Sequence, residues 1–221
     1  AKISAPTHGG RAKCLQRLVR LDLPVPKTVA LSFDAIKGIV SGKMPNLIDI
    51  LSNFDAKDVL CVRPSSESVD WGGPGAVLNI GMNDDRCLHL SKYIGEKAAS
   101  ELYFRFIQAY SVSVARLDPD VFDHITGANG NSVSAALAAY KDEMDENFPQ
   151  SIEHQLSEVL RSMARAWEGT SARLLREAKG APADAGLGLV IQKMAFGVGD
   201  GESGSGVCLL YTSPSPRDVS T

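Results

Sequence analysis

The sequence predicts an α/β (α+β) protein in which a helical stretch interrupts one β-containing unit. Three observations point there. Short apolar runs bounded by Pro, Gly and Ser occur near both ends: "TVALS" (28–32), "DVLCV" (58–62) with its return at 76–82, and "GLGLVIQKM" (186–194). Between them, residues 85–178 show apolar residues at helical spacing and almost no strand signal. The bulk composition is that of a globular chain: 221 residues, 44% hydrophobic, 22% charged.

From Gly10 to Leu21, Leu15, Leu18 and Val19 recur at helical spacing among Arg and Lys, and "LPVP" stops the helix before the first strand. Two short helices are expected at Phe33–Val40 and Asn46–Phe54. The strand at 58–62 is expected to end on Arg63 and open into the loop "PSSESVDWGGPGA". In the helical stretch Tyr103, Ile107, Tyr110 and Val114 share one face, as do Val133, Leu137, Tyr140 and Met144. A third face carries Ile152, Leu156, Leu160, Met163 and Trp167, on a helix that Ser151 can cap after the break at "NFPQS". Gly180 and Pro182 end the last helix, and "VGDGESGSG" reads as a glycine-rich hairpin loop. The expected division is 9–82 with 149–207 as one discontinuous unit and 83–148 as a helical insertion.

Net charge is −3 and the pI about 5.8, which leaves no electrostatic footprint for nucleic acid or an anionic membrane. No apolar run approaches the roughly 18–20 residues of a membrane span. The first residues carry no signal-peptide core. Four scattered cysteines without a CxxC pair fit thiols of a reducing, cytoplasmic compartment. The acidic run "KDEMDEN" (141–147) reads as a solvated helix face, and the four histidines fall in no recognisable motif. The tail "CLLYTSPSPRD" (208–218) is, residue for residue, the translation of a transposase sequencing adapter, so residues 208–221 are expected to be non-native and poorly packed.

An arginine ending a strand beside a glycine-rich loop suits phosphate recognition, because the guanidinium fork matches phosphate oxygens and small residues let backbone amides approach. A structural salt bridge accounts for Arg63 equally well. Gly201, Gly204 and Gly206 fit a phosphate-covering hairpin or simply a mobile turn.

Five segments together resemble the pyruvate phosphate dikinase family. "GGRAKCLQRLVRLDLPVPKTVALS" is similar to that family's "GGKGxNLxxMxxLGxPVPxGFxxT", and "VRPSSESVDWGGPGAVLNIGMND" to "VRSGAxxSMPGMMDTxLNLGLND". "YFRFIQAYSVSV", "FPQSIEHQLSEVLRSMARAW" and "VIQKMAFGVGDGESGSGV" resemble "YRRFIQMYxxVV", "FPQDPxEQLxxAIxAVFxSW" and "NVQxMVFGNxGxxSGTGV". In order, they cover most of residues 9–207.

The resemblance implies an ATP-grasp fold, two lobes clamping ATP, with a helical subdomain inserted. It implies a phosphotransferase converting ATP, phosphate and pyruvate to AMP, diphosphate and phosphoenolpyruvate through a phosphohistidine on a further domain. It places Arg63 and Arg11 on the ATP phosphates, and the backbone of Gln192, Lys193 and Met194 at the purine edge. Gly204 and Gly206 fall in the glycine-rich turn of the second lobe. Magnesium is implied as cofactor, with its ligands, like the pyruvate site, beyond residue 207, so this part alone is expected to be inactive. A homodimer is a candidate assembly of the full-length protein. The chain departs from the family pattern at Arg11 (a lysine there), at Pro64–Glu67 and at "WGGPGA" (71–76). Phosphoenolpyruvate synthases and antibiotic phosphotransferases share the general pattern, and a non-catalytic nucleotide-binding or helical interaction module remains the alternative from another class.

Overall fold

A computed structural model describes residues 2–125, 130–197, 202 and 204. The helix α1 (Ala5–Arg20) is followed by β1 (Thr28–Leu31), α2 (Phe33–Val40), α3 (Leu47–Leu51), β2 (Leu60–Ser66) and β3 (Val77–Ile80). Then come α4 (Asp84–Ile94), α5 (Glu96–Ser113), α6 (Gly130–Met144), α7 (Ile152–Glu168), α8 (Thr170–Ala178) and β4 (Leu187–Lys193). The chain is thus mixed α and β, with residues 100–113 and 132–144 helical as the apolar spacing predicts.

The strands form one antiparallel sheet in the order β1–β4–β2–β3, so the last strand lies between the first and second. In an antiparallel ladder directly paired residues share a face. One face therefore carries Leu60 and Val62 of β2 with Leu189 and Ile191 of β4. All four are wholly buried in the main core. The other face carries Cys61, Arg63 and Ser65 with Gln192, Val190 and Gly188, extended by Thr28 and Ala30 of β1.

The first face is closed by helices. α7 presents Leu156, Leu160, Met163 and Trp167 of the expected stripe to it, together with Val159, while Ile152 is only partly buried against the core; Ser151 Oγ accepts the His154 amide as its cap. α5 and α6 extend the core through aromatic rings around Phe148, whose ring meets those of Tyr103, Phe106, Tyr110 and Tyr140 at centroid separations of 5.2–6.3 Å. Such tilted and edge-on pairs add to simple area burial.

β2 corrects the expectation of a strand ending at Arg63: it runs on to Ser66, and Arg63 lies in its middle, paired with Val190. Pro64 does not stop it, for a geometric reason. The Met194 amide donates to the Val59 carbonyl, which fixes 59/194 as a hydrogen-bonded pair and, by alternation, makes Pro64/Leu189 a non-bonded one. The missing N–H of Pro64 then points away from β4, and β3 has left the ladder after Val62. The proposed tail residues 208–221 lie outside the described residues.

Candidate functional site

α1 crosses the second sheet face, and its kink decides how closely. Gly9 has φ 84° and ψ 168°, breaking the helix so that a regular segment restarts at Gly10. A Cβ on Gly9 would stand 1.9 Å from the Ser65 carbonyl oxygen, and one on Gly188 would stand 2.6 Å from that of His8. Backbone lies on backbone here, which only glycine permits. The contact is fixed by a tertiary cap: the Ala12 amide, in the first turn of the restarted helix, donates to Ser65 Oγ at 3.0 Å.

This docking brings together two residues far apart in sequence. Arg11 donates through Nη1 to the Pro64 carbonyl, one residue from Arg63. Burial lowers the Arg11 pKa, and the positive charge of Arg63 lowers it further, so the two guanidiniums are close enough to repel. The Cys61 thiol, next on the same face, is pushed up by burial against the pull of both arginines. Four ion pairs are found among the described residues, and none involves Arg11 or Arg63. Arg63 makes no side-chain hydrogen bond among those residues either. The salt-bridge explanation of Arg63 therefore has no acid to offer within the described residues. Two half-buried cations beside the N-terminal end of a helix, where the peptide dipoles also favour negative charge, form an anion-attracting corner.

The residues expected at the purine edge are divided by strand alternation. Gln192 lies on the same face as Arg63, two positions along the ladder, and is 7% exposed. Lys193 lies on the opposite face and is held by Asp58, Nζ to Oδ1 2.6 Å. The Lys193 amide donates to the Lys27 carbonyl and the Met194 amide to that of Val59. Both amides are therefore already taken. Gly204 is exposed with open space around it. Gly206 and Gly201 lie outside the described residues. Sequence reasoning marks Pro64 and Ser65 only as departures from the family pattern and does not single out Gly9 or Thr28; the paired glycines of "THGGR" are the one available signal for the close approach.

Among the described residues no helix is long and apolar enough to cross a membrane, and no three His, Cys, Asp or Glu side chains are grouped to hold a metal ion.

No protein-family model matches the chain. It is similar to curated proteins named pyruvate, phosphate dikinase. That of Clostridium symbiosum is 25% identical over 236 residues, taking in 90% of this chain and 27% of that protein. The Rhizobium meliloti protein is 29% identical over 167 residues, covering 67% of this chain and 19% of its own length. A chloroplastic one from Mesembryanthemum crystallinum is 25% identical over 243 residues, with 94% and 25% covered. The chain thus spans about a quarter of the length of these relatives and is similar to a part of a pyruvate, phosphate dikinase.

Proposed function

We propose that this chain is the ATP-binding part of a phosphotransferase of the kind represented by pyruvate, phosphate dikinase. One observation carries the reading: Arg11 and Arg63 meet at the start of the restarted α1 helix with no acid paired to either among the described residues. Two guanidiniums held against each other cost free energy that a bound polyanion would return. Arg11 keeps one edge of its fork on the Pro64 carbonyl and has further N–H groups, in fixed planar geometry, for phosphate oxygens. The phosphates would lie on Arg11 and Arg63, the base toward Gln192, and the turn holding Gly204 and Gly206 would cover the phosphates.

In this reading residues 9–82 and 149–207 form the ATP-grasp unit and 83–148 its helical insertion. The complete protein, cytoplasmic and dimeric, would convert ATP, phosphate and pyruvate to AMP, diphosphate and phosphoenolpyruvate through a phosphohistidine carried elsewhere. The magnesium ligands would lie beyond residue 207, and among the described residues no three His, Cys, Asp or Glu side chains are grouped to hold a metal ion. A second reading, a nucleotide-binding module without catalysis, has one observation in its favour. The Glu67 carbonyl lies 3.4 Å from where a Gly10 Cβ would be, which brings an acidic residue to the phosphate corner.

The test is calorimetric titration with ATP, inorganic triphosphate and adenosine. ATP and triphosphate should compete for one site, and adenosine should bind about ten- to a hundredfold more weakly than ATP, given charge-assisted hydrogen bonds of about 1.5–3 kcal/mol. Equal affinity for adenosine and ATP, or no ATP binding, overturns the phosphate assignment.

A further inference from the structure

The loop between β2 and β3 (67–76) frames the arginine corner from both ends. It leaves β2 after Ser66, with the Glu67 carbonyl 3.4 Å from where a Gly10 Cβ would stand. It returns at Val77, which pairs with Val62, the residue before Arg63. Its middle lies on two other elements. A Cβ on Gly73, whose φ is 145°, would stand 3.3 Å from Cζ3 and 3.4 Å from Cε3 of Trp167. One on Gly72, at φ 76°, would stand 3.5 Å from Leu175 Cδ2. The loop backbone thus rests on the six-membered ring of Trp167 at angles that glycine adopts without steric cost.

Trp167 is held from two further sides. Its Nε1 donates to the Ala185 carbonyl at 3.2 Å, two residues before β4. The Arg176 guanidinium of α8 stacks on the ring, its carbon 3.8 Å from the ring centroid, and its Nη1 donates at 2.7 Å to the Trp167 carbonyl where α7 ends. Arg176 is 7% exposed and joins none of the four ion pairs found among the described residues. A buried cation without a paired acid is costly. The stack on Trp167 and a carbonyl at the negative end of a helix dipole offset that cost.

We infer that Arg176 is a positioning residue for the phosphate corner: it fixes Trp167 as the seat of Gly72 and Gly73 and so sets where the loop stands beside Arg63 and α1. The inference rests on the ATP-binding reading and deepens it. Arg176 makes no hydrogen bond to the corner among the described residues, so its effect travels through one ring and one stretch of glycine backbone. Trp167 is 1% exposed and part of the main core, which keeps the seat in place. A loop without its seat would have to be ordered again when a triphosphate binds, a cost that adenosine, lacking phosphates, does not incur.

The experiment measures ATP and adenosine affinities by calorimetry in the intact chain, Arg176→Met and Gly73→Ala, with melting followed by circular dichroism to report folding. In Arg176→Met the ATP affinity should fall about five- to tenfold, roughly the cost of ordering the backbone of one residue, and the adenosine affinity should stay within about twofold. Arg176→Lys, which keeps a cation for the ring, should recover part of the loss. Gly73→Ala leaves the stack intact and presses a methyl group on Trp167, so it should produce a similar loss. The double variant should lose little more than either alone, because both substitutions break the same seat. A lower melting temperature with an unchanged ATP-to-adenosine ratio in Arg176→Met makes Arg176 a residue of stability alone and overturns the inference. So do losses that add in full in the double variant. If Arg176→Met does not fold, Gly73→Ala decides, and an unchanged ratio there overturns the inference. Failure of the intact chain to bind ATP removes the underlying reading and this inference with it, whereas ATP binding indifferent to both substitutions removes this inference alone.

Discussion

The two faces of the sheet are made from alternate residues of the same strands, yet they meet opposite surroundings. Leu60, Val62, Leu189 and Ile191 face a layer of helices and a continuous apolar core. Cys61, Arg63, Val190 and Gln192, one residue out of step, face α1, which buries little beyond Gly9 and Ala12. A helix held by so few apolar contacts must be fixed by other means. The means are specific ones: a glycine against a backbone, a serine capping an amide, an arginine on a carbonyl. Nonspecific burial supplies stability on one side, and directional contacts supply geometry on the other. Substitutions on the two faces should therefore separate stability from ligand affinity.

Leu189→Ala on the apolar face should produce the largest loss of stability, about 2–5 kcal/mol in a denaturant melt, because it leaves a cavity in a fully packed core. The ATP affinity of the folded fraction should stay within about twofold. Gly9→Ala should cost about 1–3 kcal/mol, since the residue sits at φ 84° and its Cβ would strike the Ser65 carbonyl. It should also move α1 and lower ATP affinity, which the core variant should not.

Asp58→Asn should cost about 1 kcal/mol at neutral pH, a modest figure because the side chain of its partner Lys193 is 40% exposed. Burial pushes the Asp58 carboxyl up, but the hydrogen bond from Lys193, the Asp55 amide and the charges of Lys193 and Lys27 outweigh it, and its pKa falls below the ordinary 3.8. A carboxyl lowered by folding contributes fully above the unfolded value and loses that contribution as pH falls through the folded one. The intact chain should lose this increment in melts below about pH 4, and the Asn variant should show no such step. Ser65→Ala should cost about 0.5–1 kcal/mol, the loss of one helix cap, and weaken ATP binding by loosening α1.

What the sequence made legible follows the same division. The helical faces were readable because Tyr103, Ile107 and Tyr110, or Leu156, Leu160 and Met163, repeat at a spacing that burial alone enforces. The sheet strands were readable as apolar runs, but the length of β2 was not. Pro64, Ser65 and Ser66 are turn formers by local chemistry, and only the one-sided pairing with β4 keeps them extended. The arginine pair was half legible. Each charge stood out, while the Pro64 carbonyl that holds Arg11 and the cap from Ser65 are tertiary contacts without a local signature. Lys193 shows what alternation does to neighbours in sequence: its side chain goes to Asp58 on the other sheet face, while the resemblance places only its backbone at the purine edge.

The most direct test is Arg63→Met, with ATP affinity and melting temperature measured on the same preparations. The Arg63 side chain holds no acid and no hydrogen bond among the described residues, and it stands against Arg11. Removing it should therefore leave the melting temperature unchanged or slightly raised, while ATP affinity falls about ten- to a hundredfold. Arg63→Lys should recover only part of that loss, because it keeps the charge without the fork. A lower melting temperature with unchanged ATP affinity would make Arg63 a structural residue and contradict the assignment of this face to phosphate binding.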